Sequence, residues 1–283
     1  MNMKIQELII QIDKINKISD EIWKNSLSDR KVKELEFHDR DRDDNFIKNS
    51  LAKDTYEEFY GNKKYYKVTQ RSKNYVDHWI KTKSKGKVFL DYACGNGSNA
   101  IIAAEAGASL SLGFDISSIS VKNANSIAVK KNLTNIRFFQ ADAENTMLPS
   151  DCVDVIICSG MLHHLDLSYS FYELRRILKP GGIILAVEAL DYNPAIKIYR
   201  LLTPSMRTDW EKAHILSLKD VRFAKRFFNI GEIRYWHVVG YIAAKFPFLS
   251  RILENLDKLL EKIPFINLLS WMFTFELIKP KDK

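Results

Sequence analysis

The sequence predicts an α/β fold, in which helices cover both faces of a parallel sheet. Between residues 88 and 187, five short and mostly apolar segments alternate with segments of helical periodicity. This alternation is typical of doubly wound sheets. Each apolar segment is followed closely by polar residues or glycines. Ligands of such sheets bind beyond the carboxyl ends of the strands, so we expect a binding site at that edge.

Length and composition limit the class of protein. The 283 residues fit one full domain with additions, and a hydrophobic fraction of 46% indicates a folded globular chain. Cys94, Cys152 and Cys158 lack metal-type spacing, so we expect no metal site and a reduced, cytoplasmic location. No signal peptide is expected. The longest uncharged apolar window, residues 264–275, is shorter than the roughly 20 residues that a membrane helix needs.

Residues 1–85 are expected to form a helical extension or lid. Apolar residues recur at three- and four-residue steps over residues 5–22, which predicts an amphipathic helix. Residues 26–44 carry dense charge of both signs, typical of a solvated surface or loop. The alternative is a lid in which His38 beside Asp39 supplies a proton acceptor. A helix is expected around Trp79, and the aromatic residues before it indicate core packing or a pocket mouth. These aromatic residues are Tyr56, Phe59, Tyr60, Tyr65 and Tyr66.

The first predicted strand, residues 88–92, ends in a carboxylate and opens into a glycine turn before a helix. Gly95 and Gly97 can adopt positive φ and lack a Cβ, so a ligand can lie against the backbone at the helix N-terminus. With Ala100 they also fit a dinucleotide fingerprint, and Asp115 lies where that fingerprint has its ribose carboxylate. The turn alone therefore leaves the cofactor open.

Four further strands are expected before residue 190, each with a polar residue at or after its end. They are residues 110–114 with Asp115, 136–139 with Asp142, 153–158 with Ser159, and 183–187 with Glu188. A helix is expected at residues 100–106, and a second begins after a cap at Ser117 or Ser118. A third runs through residue 178 and ends at a Lys-Pro-Gly-Gly turn.

Taken in order, four motifs resemble those of the class I S-adenosylmethionine-dependent methyltransferases. They are the segment Asp91-x-Ala93-Cys94-Gly95-x-Gly97, the acid Asp115 after strand two, the acid Asp142 after strand three, and the turn Leu178-Lys179-Pro180-Gly181-Gly182 before strand five. The resemblance extends from residue 87 to residue 190. It implies a Rossmann-like, doubly wound, seven-stranded sheet that is mostly parallel, with an antiparallel last strand.

The resemblance also implies where S-adenosylmethionine, and its product S-adenosylhomocysteine, would bind. Asp91 with the backbone of Gly95 and Gly97 would hold the methionine end. Asp115 would hold the ribose hydroxyls, and Asp142 the adenine amino group. Four neighbours are assigned to the same site: Ala93, Ile116, Ala143 and Ser159. The alternative role for each acid is a helix cap or a turn.

The reaction of this family is displacement at a methyl carbon activated by a positive sulfur, so the protein must align the acceptor and exclude water. A hydroxyl or acidic carbon is helped by a base, and histidine suits that role because its pKa lies near neutrality. The candidate bases are His163 and His164 after strand four, then His38 in the N-terminal lid. The alternative for the two histidines after strand four is a structural role.

The acceptor is expected to be a small or amphipathic metabolite, with O-methylation ahead of C- or N-methylation. The loop from Cys158 to Met161 departs from the Asn/Asp-Pro-Pro-aromatic motif of enzymes that methylate nucleobase amino groups. The three cysteines lie within the core region, unlike those of arsenic methyltransferases. One alternative is an RNA methyltransferase, favoured by the net charge of +8. The other is a catalytically silent S-adenosylmethionine-binding protein.

Residues 86–283 are expected to form the methyltransferase domain, in which residues 193–218 form a substrate-recognition cap or a peripheral packing helix. Residues 246–264 predict a basic amphipathic helix before the last strand. Such a helix packs on its own sheet or lies on an anionic membrane, where it would suit a lipid-like acceptor. The remaining elements are a helix at residues 218–228, strand six at 230–239 and the last strand at 268–278.

Overall fold

The computed structural model describes residues 3–42, 65 and 67–281. The strands are β1 (Val88–Tyr92), β2 (Leu110–Asp115), β3 (Ile136–Gln140), β4 (Val153–Ser159), β5 (Leu178–Ala189), β6 (Asn229–Trp236) and β7 (Met272–Ile278). The α-helices of the described residues are α1 (Met3–Ile15), α2 (Asp20–Asn25), α3 (Asp29–Arg42), α4 (Gln70–Ser84), α5 (Ser98–Glu105), α6 (Ser118–Lys130), α7 (Leu167–Ile177), α8 (Pro194–Leu202), α9 (Asp209–Ala213), α10 (Leu218–Ala224) and α11 (Ser250–Leu260). Short 3-10 turns lie at Leu162–His164, Pro204–Met206, Gly240–Ala244, Pro247–Leu249 and Asn267–Leu269.

The seven strands form one sheet in the order β3-β2-β1-β4-β5-β7-β6. Strands β1 to β5 are mutually parallel, and β7 is antiparallel to both of its neighbours, β5 and β6. This arrangement confirms the predicted α/β fold, including the antiparallel last strand. The strand order reverses between β1 and β4, and that reversal is where sheets of this type bind ligands.

Hydrophobic clusters cover both faces of the sheet. On one face, Leu90 of β1 belongs to the same cluster as Leu8 and Ile12 of α1. On the other face, Phe89 belongs to a cluster with Trp79 of α4. Consecutive residues of a strand point to opposite faces, so both clusters hold β1 in place. The turn that follows β1 therefore begins from a fixed point.

The N-terminal segment differs from the prediction in two places. The helix expected over residues 5–22 is divided, because α1 ends at Ile15 and Ser19 caps α2 by accepting the N–H of Ile22. The charged residues 26–44, expected as a solvated surface or loop, contain helix α3. This helix forms because several of its charges pair with side chains that lie far away in the sequence.

The helix expected around Trp79 is α4. Of the aromatic residues expected before it, Tyr65 lies edge-on to Tyr199 and Trp271, with ring centroids 5.4 Å and 6.5 Å apart. Four other residues of the expected cluster lie outside the described residues: Tyr56, Phe59, Tyr60 and Tyr66.

Several later elements have bounds other than those expected. Helix α7 ends at Ile177, and β5 begins at Leu178, before the Lys-Pro-Gly-Gly segment. Helix α10 ends at Ala224, β6 ends at Trp236, and β7 begins at Met272, so each is shorter than predicted. Within the described part of the chain, every helix is too short or too polar to cross a bilayer.

Candidate active site

A cavity of about 130 Å³, the first cavity, lies where the loops after β1, β2, β3 and β4 meet. Helix α3 closes it by contributing Arg30, Lys31, Glu34 and His38 to its lining. Six residues predicted to bind the cofactor line this cavity: Ala93, Asp115, Ile116, Asp142, Ala143 and Ser159. The structure therefore brings together residues from four separate loops, as the strand-end pattern predicted.

The glycine turn after β1 is held by Asp115. One carboxylate oxygen, Oδ2, accepts the N–H of Gly95 at 2.8 Å, and Oδ1 accepts the N–H of Ser117 at 3.0 Å. Ser117 also caps α6 through its side chain, and its hydroxyl donates to Asp39 of α3. Asp115 therefore performs the turn role and lines the first cavity at the same time, while Ser117 is the cap.

Asp91, Gly95 and Gly97 do not line the first cavity. The Asp91 carboxylate accepts hydrogen bonds from the Ala100 N–H and the Asn99 side chain, both at 3.2 Å. Burial raises the pKa of Asp91 to about 7, against these two hydrogen bonds, which lower it. Asp91 thus caps the N-terminal turn of α5.

Gly97 is required by packing. Its φ of 77° is left-handed, and a Cβ at this position would lie 2.5 Å from Cζ of Phe138 and 2.9 Å from Cβ of Ala124. Both neighbours are protein atoms, so the absence of a side chain here serves the contact between α5, β3 and α6. That requirement holds with or without a ligand.

Ion pairs join α3 to the loop after β3. Lys31 Nζ lies 2.5 Å from Asp142 Oδ2 and 2.8 Å from Glu144 Oε2. Burial lowers the pKa of Lys31, but the hydrogen bonds and charges of Asp142 and Glu144 outweigh it, and the pKa is raised. Arg30 donates to Glu144 at 2.5 Å and to the carbonyl of His164 at 3.0 Å. The carboxylate expected to receive the adenine amino group thus already holds an amine, that of Lys31.

His164 lines the first cavity and is bound by Glu34 of α3, with 2.9 Å between Nδ1 and Oε2. Burial, with the neighbouring His163, lowers the pKa of His164. A neutral ring then donates its Nδ1–H to the Glu34 carboxylate. His38 lies beside the same carboxylate, with its Nε2 3.8 Å from Glu34 Oε2. These two predicted bases are therefore grouped around one acid.

His163 is oriented by Glu188, which is completely buried at the end of β5. Glu188 Oε1 accepts the N–H groups of Met161 and Leu162 at 2.9 Å and 2.8 Å, and Oε2 lies 2.7 Å from His163 Nδ1. Burial lowers the pKa of His163, but the charge and hydrogen bond of Glu188, together with Glu211, outweigh it and raise the pKa. The Glu188 carboxylate can only accept, so His163 donates its Nδ1–H to it. In the neutral ring of His163, the lone pair is therefore on Nε2.

His163 lines a second cavity of about 300 Å³, built from α8, α9 and the turn Gly240–Ala244. Its Nε2 lies 3.9 Å from Oε1 of Glu211, whose pKa is raised by burial. Most of the lining is apolar or aromatic, including Tyr65, Ile196, Tyr199, Ile215, Tyr241, Ile242 and Trp271. Three cations also line it: Arg200, Arg207 and Lys245. Because His163 and His164 are consecutive, the loop after β4 contributes to the lining of both cavities.

Sequence reasoning missed Glu34, Glu188 and Glu211 as site residues. For Glu188 a signal was present, because a carboxylate at the end of an apolar strand needs buried partners. Glu34 lies in the charged segment interpreted as a loop, and Glu211 lies in the cap without any periodic pattern. Their roles depend on contacts across more than 40 residues of sequence.

A family model for a methyltransferase domain matches residues 83–230, slightly over half of the chain. Protein arginine N-methyltransferase 1 of Dictyostelium discoideum is 36% identical over 118 residues, which cover 40% of this chain and 34% of that protein. The 27-O-demethylrifamycin SV methyltransferase of Amycolatopsis mediterranei is 35% identical over 99 residues, or 34% of this chain and 36% of that protein. The chain thus matches about a third of the length of these curated relatives.

Solved structures share the fold at low sequence identity. The YcgJ protein of Bacillus subtilis has a TM-score of 0.51 and 20% identity, covering 74% of this chain and 100% of that chain. The geranyl diphosphate C-methyltransferase of Streptomyces coelicolor has a TM-score of 0.53 and 14% identity, covering 75% and 80%. The cyclase SpnF has a TM-score of 0.55 and 18% identity, covering 75% and 84%. Because a cyclase is among them, the fold by itself does not define a reaction.

Proposed function

Because this chain belongs to the class I S-adenosylmethionine-dependent methyltransferases, we propose that it methylates a small or amphipathic metabolite, with a hydroxyl as the acceptor group. The observation that carries this proposal is the position of His163. Its Nδ1 is held by buried Glu188, and the same ring lines the second cavity, next to the loop that lines the first. This position supports His163 as the base between an acceptor in the second cavity and a cofactor in the first.

The first cavity suits S-adenosylmethionine by its chemistry. Asp115 and Asp142 supply carboxylates after neighbouring strands, and the Lys31–Asp142 contact at 2.5 Å demonstrates that Asp142 accepts from an amino group. Gly160, with φ of 65°, has nothing within 4 Å of the position of a Cβ, so its backbone is open to a ligand. We assign the ribose to Asp115 and the adenine amino group to Asp142, as the resemblance implies. Asp91 and Gly97 would act on cofactor binding indirectly, by fixing the turn between β1 and α5.

We propose that α3 is a lid over this site. Helix α3 contributes four side chains to the lining of the first cavity, and Lys31 holds the carboxylate of Asp142 at 2.5 Å. The adenine amino group that we assign to Asp142 would therefore compete with Lys31. Residues 1–85 would then act as the N-terminal extension of the domain at 86–283, and residues 193–218 as the cap over the acceptor.

The bound cofactor supplies a methyl group on a positively charged sulfur, and the chain supplies alignment and a base. The apolar lining of the second cavity excludes water from the acceptor. His163 Nε2 would accept the proton of the acceptor hydroxyl, and Glu188 would stabilise the imidazolium that forms. Glu211, 3.9 Å from Nε2, is positioned to hydrogen-bond the same hydroxyl.

The proposal is tested by following S-adenosylhomocysteine formation with a small-molecule cell extract and, separately, with bulk RNA. Turnover is expected with the extract, and His163→Ala should abolish it while S-adenosylmethionine affinity, measured by calorimetry, is retained. His78→Ala is the matched control, because His78 is an exposed histidine of α4 outside both cavities. Turnover with RNA alone would make the chain an RNA methyltransferase. Binding without turnover in either mixture would make it a silent S-adenosylmethionine-binding protein.

A further inference from the structure

The elements around the second cavity expose an unusual number of large apolar side chains. These residues, the apolar rim, are each 41–83% exposed: Ile198, Leu201, Leu202, Phe246, Phe248, Ile252, Leu256, Leu259 and Phe265. Helix α8 and the turn Gly240–Ala244 line the cavity, and the turn packs against α11. Asn193, the cap of α8, donates to the carbonyl of Leu269 at 2.5 Å, close to Phe265 in sequence. The apolar rim therefore belongs to the elements that enclose one cavity.

The side of helix α11 that faces the protein carries a buried acid between two half-buried leucines, Leu253 and Leu260. Its buried residue is Asp257, which accepts the N–H groups of Val239 and Gly240 at 2.8 Å and 3.1 Å. Glu261, directly after the helix, accepts two hydrogen bonds from Arg71 at 2.9 Å and 2.8 Å. These bonds hold the helix to the domain through its acids.

The apolar side of α11 faces away from the protein. Ile252, Leu256 and Leu259 lie on one side of the helix by their spacing, and they are 65%, 41% and 60% exposed. A helix of a globular domain buries such a stripe against its own core. Leu253 and Leu260 of the same helix are half-buried, so the packing that the sequence allowed applies to that side of it, whereas Ile252, Leu256 and Leu259 are available to another apolar phase.

The charge that this region presents to solvent is positive. Arg251, Lys258 and Lys262 of the helix region are exposed, and Lys245 lies at the cavity. Of the acids nearby, Asp257 is buried and Glu261 is bound to Arg71, so Glu254 is the acid of α11 that is exposed. Basic residues beside an exposed apolar stripe are typical of helices that lie on anionic membranes. A second copy of this chain would face the same cations, which disfavours self-association.

We propose that the apolar rim docks on the surface of an anionic lipid bilayer, with the second cavity facing the lipid. This docking proposal rests on the proposed function and specifies its acceptor. The acceptor is an amphiphile that passes from the bilayer into the second cavity. The apolar residues bury in the acyl boundary, while the basic residues contact lipid phosphates. The apolar part of the acceptor would then move from the bilayer to the aromatic and aliphatic lining of the second cavity without passing through water.

The test is co-sedimentation of the full chain with phosphatidylcholine vesicles, with and without phosphatidylglycerol. Binding is expected with the anionic vesicles. Two double variants remove apolar side chains that would bury in the bilayer: Ile252→Asp with Leu259→Asp, and Leu201→Asp with Leu202→Asp. Each double variant should weaken partition into the vesicles about tenfold or more. Val129→Asp is the matched control, because Val129 is 75% exposed on α6, outside the rim, and should partition like the unchanged chain.

A second measurement separates insertion from charge attraction. The chain has five tryptophans, so each spectrum is compared with that of the unchanged chain. The emission added by Phe248→Trp should be blue-shifted on anionic vesicles, whereas the emission added by Val129→Trp should not shift. Failure of the unchanged chain to bind, equal binding by the rim variants, or a concentration-dependent dimer that the rim variants abolish would each overturn the proposal. Turnover with a cell extract that retains its lipids in detergent, measured without vesicles on the same preparations, distinguishes the two proposals. Turnover without vesicle binding refutes docking alone, and vesicle binding without turnover refutes the proposed function alone.

Discussion

The substitution Glu188→Gln tests the proposed base most directly, because it acts on His163 without changing the size of a buried side chain. Glu188 is completely buried and accepts three hydrogen bonds, from the N–H groups of Met161 and Leu162 and from His163 Nδ1. A glutamine has one oxygen to accept and an NH₂ group that only donates. At least one of the three donors therefore faces another donor.

The magnitude follows from these three bonds. A buried donor left without its partner costs about 1–3 kcal/mol, so the imidazole loses its fixed tautomer and orientation. General base catalysis contributes about 10²–10⁴-fold, and we expect kcat to fall by about 10²-fold or more. Because the Glu188 charge contributes to raising the pKa of His163, removing it lowers that pKa. The base then stays unprotonated to lower pH, so the acidic limb of the pH profile moves to lower pH.

The assay is kcat and kcat/KM against pH for Glu188→Gln, with Glu173→Gln as the matched control. Glu173 is also a buried carboxylate that accepts a backbone N–H, from Thr146, but it lies on α7 and lines neither cavity. The control should keep kcat and the position of the acidic limb. If kcat falls in Glu188→Gln with the acidic limb unmoved, then Glu188 has a purely structural role and His163 is not the base.

Three further predictions concern the glycine turn after β1 and the first cavity. Burial raises the pKa of Asp91 to about 7 from an ordinary value of 3.8, so between these pH values the folded state holds a proton that the unfolded chain releases. The free energy of unfolding should therefore fall as pH rises from 3.8 to about 7. Asp91→Asn should flatten this slope in urea titrations. Lys31→Met removes the amine that holds Asp142. Calorimetry should then show that S-adenosylmethionine binds several-fold more tightly. Equal or weaker binding would contradict the proposed lid. Gly97→Ala puts a methyl group 2.5 Å from Phe138 at positive φ and should lower the free energy of unfolding by about 1–3 kcal/mol, with no loss if the turn has room.

The sheet could be predicted from the sequence because its signals are local. Apolar runs, glycine turns and caps such as Ser117 each lie within a few residues of the feature that they determine. The carboxyl ends of parallel strands meet at one edge, so Asp115 and Asp142 were expected together without knowledge of any contact.

The proposed lid and the proposed base could be predicted only in part, because their partners are distant in the sequence. The mixed charges of residues 26–44 are typical of a loop when read alone, yet Lys31 pairs with an acid 111 residues away. His163 was a candidate base, but the tautomer depends on Glu188, 25 residues later in the chain. Likewise, Ile252, Leu256 and Leu259 of α11 face outward because Asp257 accepts the N–H groups of Val239 and Gly240. The hydrophobic periodicity of the helix does not predict these hydrogen bonds.

One carboxylate connects the two cavities mechanically. Glu34 of α3 binds His164 through Oε2, and its Oε1 accepts the hydroxyl of Thr208, the cap of α9, at 2.5 Å. Arg30 of the same helix lies 4.6 Å from the ring centre of Trp210, also in α9. Helix α3 closes the first cavity and α9 helps to enclose the second, so a movement of α3 that admits the cofactor must break or carry these contacts. If α3 opens as proposed, the free energy of opening the first cavity includes contacts that fix the wall of the second. We therefore predict that the cofactor and the acceptor each alter the other's affinity.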